Sequence, residues 1–516
     1  MTPCACGLAV LALFGFRPLS AQGSSPRSAL AAIVHEATAQ SEVMSTAHWF
    51  SDVYGPRLTG SPLDSMARVW AMKRMREWGL SNVHAEPFVF PWSSWMTERF
   101  HMAVRAPVPF AVTGVPAAWS IGTDSLVKSA VVIASIRTPA DTVEWRGKLQ
   151  GKAVLVSPPL EGYMLAPGPS VVLTTSMLDQ MVRTGEPWHI THPDLASPIN
   201  RFRATPEVKG PRLSALEATR FLHRQGASLI MRASERGVGG NVDTGVWWDV
   251  SIPQVSVSSD DYSRMYRLVE RGTPVEMEFE IRNRSSSAPA TPFNVLAELP
   301  GTDRRAEVVM LGAHLDSWNV GTGATDNAAG AAVMMEAMRI LRATGLPLRR
   351  TVRLALWSGE EQGNLGSSAY SKAHLGTMTG PRGARVLVPG PEHSRLSAYF
   401  NLDSGTGAIR ALDTYGNGAA TPVLERWLRE LPLDSLGIAH VVSVGGQGSD
   451  AAEFTAIGLP AFEFMQDPLT YESVSHHRTA DTFDRLVPEN LQRNAIIVAA
   501  IVYLAANHEA LMPRKQ

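Results

Sequence analysis

From Phe293 onward, short apolar runs alternate with helix-length segments, and this alternation restricts the chain more than any other feature. Residues 307–313, 351–357, 396–402 and 460–465 read as strands. Residues 327–344 read as a helix with Ala331, Met334, Met338 and Leu341 on one stripe. Strands separated by helices favour a mainly parallel sheet covered on both faces, because each parallel crossover must pass over a face of the sheet. The expected fold class is α/β: a mostly parallel, mixed, twisted sheet flanked by helices.

The chain, at 516 residues, is too long for one ordinary domain and suggests two or three. Residues 28–79 read as helices interrupted by the turn Tyr54-Gly55-Pro56-Arg57-Leu58-Thr59-Gly60-Ser61-Pro62. From about 118 to 283 the texture changes to short β-rich runs such as 130–134 and 153–156, with helices expected at 213–225 and 260–271. Residues 285–292, rich in Ser, Ala and Pro, read as a linker back to the main body. The expected division is a signal peptide over 1–21, the N-terminal part of a catalytic domain over 22–117, an inserted β-rich domain over 118–285, and a catalytic core over 286–516.

The apolar run 7–16, followed by Pro18-Leu19-Ser20-Ala21, has the form of a secretory signal and is too short to span a bilayer, although no Lys or Arg precedes it. Export to the periplasm or the medium is expected, with no stable membrane anchor. Both cysteines, Cys4 and Cys6, lie in this segment, so the mature chain would hold any metal through His and carboxylate. Charged residues make up 18%, the formal net charge is -1 and no basic stripe occurs, which argues against nucleic acid as a partner.

Ligands of open α/β sheets bind beyond the carboxyl ends of the strands. Here each core strand runs into acids or a histidine: His314-Leu315-Asp316-Ser317, Ser358-Gly359-Glu360-Glu361, Asp403-Ser404 and Gln466-Asp467. A glycine-rich loop from Gly321 brings Asp326 to the start of a helix, and His476-His477 lies in a late loop. Singly, each has a plainer explanation: Asp326 as a helix cap, Glu360-Glu361 as a solvated helix start, Asp403 as a turn residue, the histidines as surface groups. Together they supply two imidazoles, two terminal carboxylates, one carboxylate to bridge and one glutamate over. That inventory suits a pair of divalent cations ~3.5–4 Å apart.

These residues, with Gly359-Glu360-Glu361-Gln362-Gly363, Ser449-Asp450 and His477-Arg478-Thr479-Ala480-Asp481-Thr482, resemble the di-zinc aminopeptidase family of metallopeptidases. His314-Leu315-Asp316-Ser317-Trp318, Leu356-Trp357 and the doubled His476-His477 look most like its carboxypeptidase Q branch. The resemblance runs from about Ser28 to the C-terminus and includes a protease-associated domain at the β-rich insert. It implies two Zn2+ per chain: His314 and Asp403 on one, Glu361 and His477 on the other, Asp326 between them. It implies Glu360 as general base and Asp316 behind His314, orienting it. Where aminopeptidases of the family carry Tyr, this chain has His476, as the carboxypeptidase Q branch does, and His476 is expected to donate to the oxyanion. Asp326-Asn327-Ala328-Ala329-Gly330 departs from the branch, which has a second acid and more glycines there.

The resemblance favours an exopeptidase or dipeptidase acting on unblocked dipeptides or short peptides, with aminopeptidase action on longer peptides as the alternative. Two readings of other classes are a receptor-like binding protein and a glutaminyl cyclase. The full ligand set argues against the first, and the inserted domain and His314 against the second. A homodimer is expected from the resemblance alone.

Overall fold

The computed structural model describes residues 26–161, 170–187, 201–202, 210–235, 239–244, 250–430, 436–445 and 448–515. The expected signal segment, with Cys4 and Cys6, lies outside these residues. Among the described residues no helix is long and apolar enough to cross a membrane.

Eight strands form the main sheet, in the order Ser81–Pro87, Phe293–Leu299, Arg350–Trp357, Arg304–His314, Leu396–Asn401, Ala461–Gln466, Ile409–Asp413 and His440–Val442. The four central strands, from Arg350–Trp357 through Ala461–Gln466, are mutually parallel, and antiparallel pairs flank them. The sheet is thus mixed with a parallel centre, and the four expected strands are that centre. Their side chains, such as Leu311, Leu354 and Phe400, are buried because helices cover both faces.

Helix Ala329–Thr344 lies on one face. Its residues 329–341 are all buried, since helix Pro488–Asn507 and helix Pro26–Ala39 cover the side turned away from the sheet. Each large aliphatic side chain so enclosed stabilises the body by ~1.5–3 kcal/mol. The one charged pair in this layer, Glu336 with Arg339, is satisfied internally at 2.8 Å and by Glu36 at 2.6 Å. The helix was expected from 327; it starts at Ala329 because Asp326 and Asn327 adopt non-helical angles.

A second eight-stranded sheet is built from strands lying between 93 and 289. Its centre, Val127–Ile133, Ala153–Leu155, Leu229–Ala233 and Gln254–Val257, is parallel, and helices Ala215–Arg224 and Ser259–Glu270 accompany it. Two long antiparallel strands, Ser93–Ala106 and Glu276–Pro289, pair along their length and carry the chain out of the main body and back. The crossing therefore starts at 93, earlier than the expected boundary at 118. Residues 285–289, expected as linker, are strand: Ser285 pairs with Trp95 and Pro289 with Ser93. Their side chains are exposed, so no apolar alternation marks them as a strand.

Candidate metal centre

The sheet brings all eight singled-out side chains to one edge. His314 ends strand Arg304–His314, Glu360 and Glu361 follow strand Arg350–Trp357, and Asp403 follows strand Leu396–Asn401. Asp326 comes from the irregular turn Ala324–Ala328, where its peptide to Asn327 is cis. His476 and His477 lie on the loop after strand Ala461–Gln466.

Asp326 sits at the middle. Its Oδ1 is 3.3 Å from His314 Nε2, and its Oδ2 is 3.2 Å from His477 Nε2. Beyond it, His314 Nε2 is 3.0 Å from Asp403 Oδ1 and 4.0 Å from Glu360 Oε2. His477 Nε2 is 2.9 Å from Glu361 Oε2. His476 stands further off, with Nε2 3.9 Å from Asp326 Oδ2 and Nδ1 3.1 Å from Glu472 Oε2. Its ring is stacked on Tyr471.

The layer beneath fixes these groups. His314 Nδ1 lies 3.0 Å from the Asp316 backbone carbonyl, so Nδ1–H donates there and Nε2 faces the carboxylates. Orientation of His314 thus comes from the Asp316 main chain, while the Asp316 carboxylate stands 3.7 Å from Nδ1. That carboxylate accepts instead from the Thr59 hydroxyl at 2.9 Å and from the N–H groups of Glu360 and Glu361 at 3.4 and 3.3 Å. It positions the two glutamates that follow the neighbouring strand.

Other supports carry no role in the sequence reading. Asp481 accepts the N–H of Thr325 at 2.6 Å and of Asp326 at 3.2 Å, tying the histidine loop to the central carboxylate. Glu463 accepts the N–H of Asp403 at 3.0 Å. Asn327 donates to the Leu402 carbonyl at 2.9 Å and accepts from Gly330 N–H at 3.0 Å, which links the Asp326 turn to the strand end before Asp403. A Cβ on Gly330 would lie 2.6 Å from that same Leu402 oxygen, so only glycine admits this approach. The departure at Asn327-Ala328-Ala329-Gly330 is therefore a structural tie.

Arg57, fully buried in the turn 54–62, donates to the carbonyls of Leu315, Phe50, Thr322 and Gly323 at 2.6–2.9 Å. It binds the two main-chain segments that present His314 and Asp326. A charged residue between Pro56 and Gly60 was the only signal of this in the sequence, and turn chemistry alone accounts for such a residue.

Electrostatics follow from crowding. Burial opposes charge on His314, but Asp403 and Glu360 outweigh it and hold its pKa well above the usual imidazole value. Burial likewise opposes charge on His477, and Glu361 and Asp326 overcome it. Burial would raise Asp326, yet the two imidazoles hold it well below the carboxylate range. Glu360 is pushed well up by burial, with His314 opposing and Asp403, Glu361 and Asp450 adding to the rise. Behind them burial raises Asp450 and Glu463 to about 8 and Asp481 to about 7. The cluster concentrates carboxylate on two imidazoles, an arrangement that attracts cations.

Histidines and carboxylates converge at the carboxyl ends of a parallel sheet, with one carboxylate shared between two imidazoles, as a candidate metal centre, and the chain is a metallopeptidase. Residues 294–502, which contain all eight side chains, match the model of peptidase family M28. Over 464 residues it is 27% identical to carboxypeptidase Q of Bos taurus, a match covering 90% of this chain and 85% of that protein. In structure it is similar to a peptidase M28 precursor from Shewanella amazonensis, with TM-score 0.65, 21% identity, and 95% and 99% of the two chains covered. It is also similar to a zinc aminopeptidase from Bacillus subtilis, with TM-score 0.55, 19% identity, and 91% and 97% covered. The two structural likenesses establish the shared fold.

Proposed function

We propose that this chain is a zinc-dependent exopeptidase of the carboxypeptidase Q type, hydrolysing unblocked dipeptides or short peptides with two Zn2+ held at the Asp326 cluster. The observation that carries this reading is the placement of Asp326, whose two oxygens face the Nε2 atoms of two different histidines. The donor set fits such ions. His314 Nδ1 is committed to the Asp316 carbonyl, which leaves Nε2, between the Asp326 and Asp403 carboxylates, as the nitrogen that would bind a cation. Asp326 Oδ2 and Glu361 Oε1 are buried without a hydrogen-bond donor. All donors are imidazole nitrogen or carboxylate oxygen, as zinc accepts.

His314 and Asp403 would hold one ion, His477 and Glu361 the other, and Asp326 both. Bound zinc supplies an acidified water and a Lewis acid for the scissile carbonyl. Glu360, on the edge of the cluster and held above the usual carboxylate range by its burial, takes the proton of the attacking water and returns it to the leaving amine. His476, braced by Glu472, is the donor available to the developing oxyanion. Asp316 holds the main chain of Glu360 and Glu361 so that adjacent side chains serve different ends.

The similarity to carboxypeptidase Q along most of both chains supports action on free dipeptides, and the similarity to a zinc aminopeptidase keeps longer peptides as the second reading. The body of the second sheet is read as the inserted domain beside this site, and the segment 1–21 as an export signal.

The test is hydrolysis of a panel of unblocked dipeptides and N-terminally free longer peptides by zinc-loaded protein, beside Glu360→Gln. Turnover of dipeptides, lost by about a thousandfold in the variant, is expected. A zinc-loaded wild type that turns over neither class contradicts the proposal.

A further inference from the structure

The loop 467–481 carries His476 and His477; from the main body it is held by the Thr325 hydroxyl on Ser475 Oγ at 2.9 Å and by the N–H groups of Thr322, Thr325 and Asp326 on Asp481. His477 sits at φ 57, a left-handed conformation that costs a non-glycine residue free energy and persists only where surroundings enforce it. Part of those surroundings comes from segments inserted between the two long strands: 171–173, which packs on the main sheet's edge, and 241–244. At the near end, Val171 and Leu469 exchange backbone bonds at 3.0 and 2.8 Å, and Leu173 N–H donates to Asp467 Oδ1 at 2.7 Å. At the far end, Thr244 N–H donates to the His477 carbonyl at 3.0 Å, and Thr479 N–H to the Val242 carbonyl at 2.9 Å. Val242 N–H in turn donates to Thr479 Oγ1 at 2.9 Å.

Between them Asn241 uses both ends of its amide. Nδ2 donates to the Val474 carbonyl at 2.9 Å, before the histidines. Oδ1 accepts from Thr479 Oγ1 at 2.9 Å and from Ala480 N–H at 3.0 Å, after them. One side chain from the second body thus pins the loop on either side of His476-His477. No charged residue can replace it: Asp lacks the donor and Lys the acceptor.

We infer that the second body is a positioning clamp for the histidine-bearing loop, with Asn241 its central residue. Asn241 touches neither substrate nor metal; it acts through His477. The inference rests on the proposed role of His477 as a ligand. It gives the inserted body a task in assembling the centre. It also makes the two halves of that centre unequal: His314 and Asp403 are set by strand ends, whereas the group around His477 depends on a contact between bodies.

The experiment compares wild type, Asn241→Ala, Thr479→Val and Thr479→Ser. Amide hydrogen exchange is read in the metal-free proteins, and zinc is titrated against a competing chelator. In Asn241→Ala, exchange over 474–480 should accelerate at least ~tenfold while the strand Leu396–Asn401 keeps its protection. One class of bound zinc should keep its affinity and the other should weaken by about 10–100-fold. Thr479→Val should follow Asn241→Ala and Thr479→Ser should restore wild-type behaviour, which also decides the matter if Asn241→Ala does not fold. Unchanged exchange over 474–480 in Asn241→Ala and Thr479→Val overturns the clamp. A wild type with a single class of zinc contradicts the two-ion reading instead, and the exchange measurement still decides the clamp.

Discussion

The two halves of the centre are built differently. The half around His314 and Asp403 stands on the ends of central parallel strands, whose backbones are fixed on either side by neighbours in the same sheet. The half around His477 stands on a loop, reached by Asp481 from within and by Asn241 from the second body. A site on strand ends inherits the precision of the core, whereas a site on a loop must be held by specific polar contacts. The first half should therefore fail with the fold, and the second should fail while the fold survives.

The largest effect that sharpens this contrast is expected at Arg57. Burial lowers its guanidinium to about 10, with Asp481, Asp64 and Asp316 opposing, so it is charged at neutral pH and serves four buried carbonyls. Arg57→Met should cost about 3–5 kcal/mol of stability in a urea titration, since it strips the donor from buried acceptors and leaves the nearby acids uncompensated. A loss below about 1 kcal/mol would break the claim that the strand-end half and the fold share their supports.

Asp481→Asn should act in the opposite manner. The amide keeps the shape and one acceptor oxygen but loses the other, so either Thr325 or Asp326 forfeits its partner. Zinc affinity should fall by about 10–100-fold with little change in the unfolding midpoint. A variant that loses stability and keeps affinity would place Asp481 in the core half.

The smallest effect concerns pH. Glu463 is raised to about 8 by burial, with Asp403 adding to the rise. Its folded pKa lies above its unfolded value, so its favourable contribution is complete below about 4.5 and is lost as pH rises through about 8. Metal-free protein should lose stability over that window, and Glu463→Gln should flatten the slope by at most ~1.4 kcal/mol per pH unit. Parallel stability–pH curves for the two proteins would show that Glu463 does not supply the slope.

The same contrast separates what could be read from the sequence from what could not. His314, Glu360, Glu361 and Asp403 follow apolar runs of strand length, so their common edge followed from the periodicity of the sheet. The loop histidines came from the ordered motif set, not from any pattern of their own. Asp481 was quoted with them but given no role, because a backbone N–H as partner leaves no mark in a sequence. Arg57 and Thr59 were hidden in a turn whose Gly and Pro explain themselves. Asn241 was invisible for a similar reason: its partners are carbonyls and N–H groups of a segment more than two hundred residues away. The strand Glu276–Pro289 was half missed, since its Ser-rich end is solvated and only cross-strand pairing holds it.

The most direct test of the central claim is the zinc content of wild-type protein and of His477→Ala after exhaustive dialysis against a weak chelator, by elemental analysis. Two zinc ions per wild-type chain and one per folded variant chain are expected. One ion in both proteins would contradict a centre with two halves around Asp326.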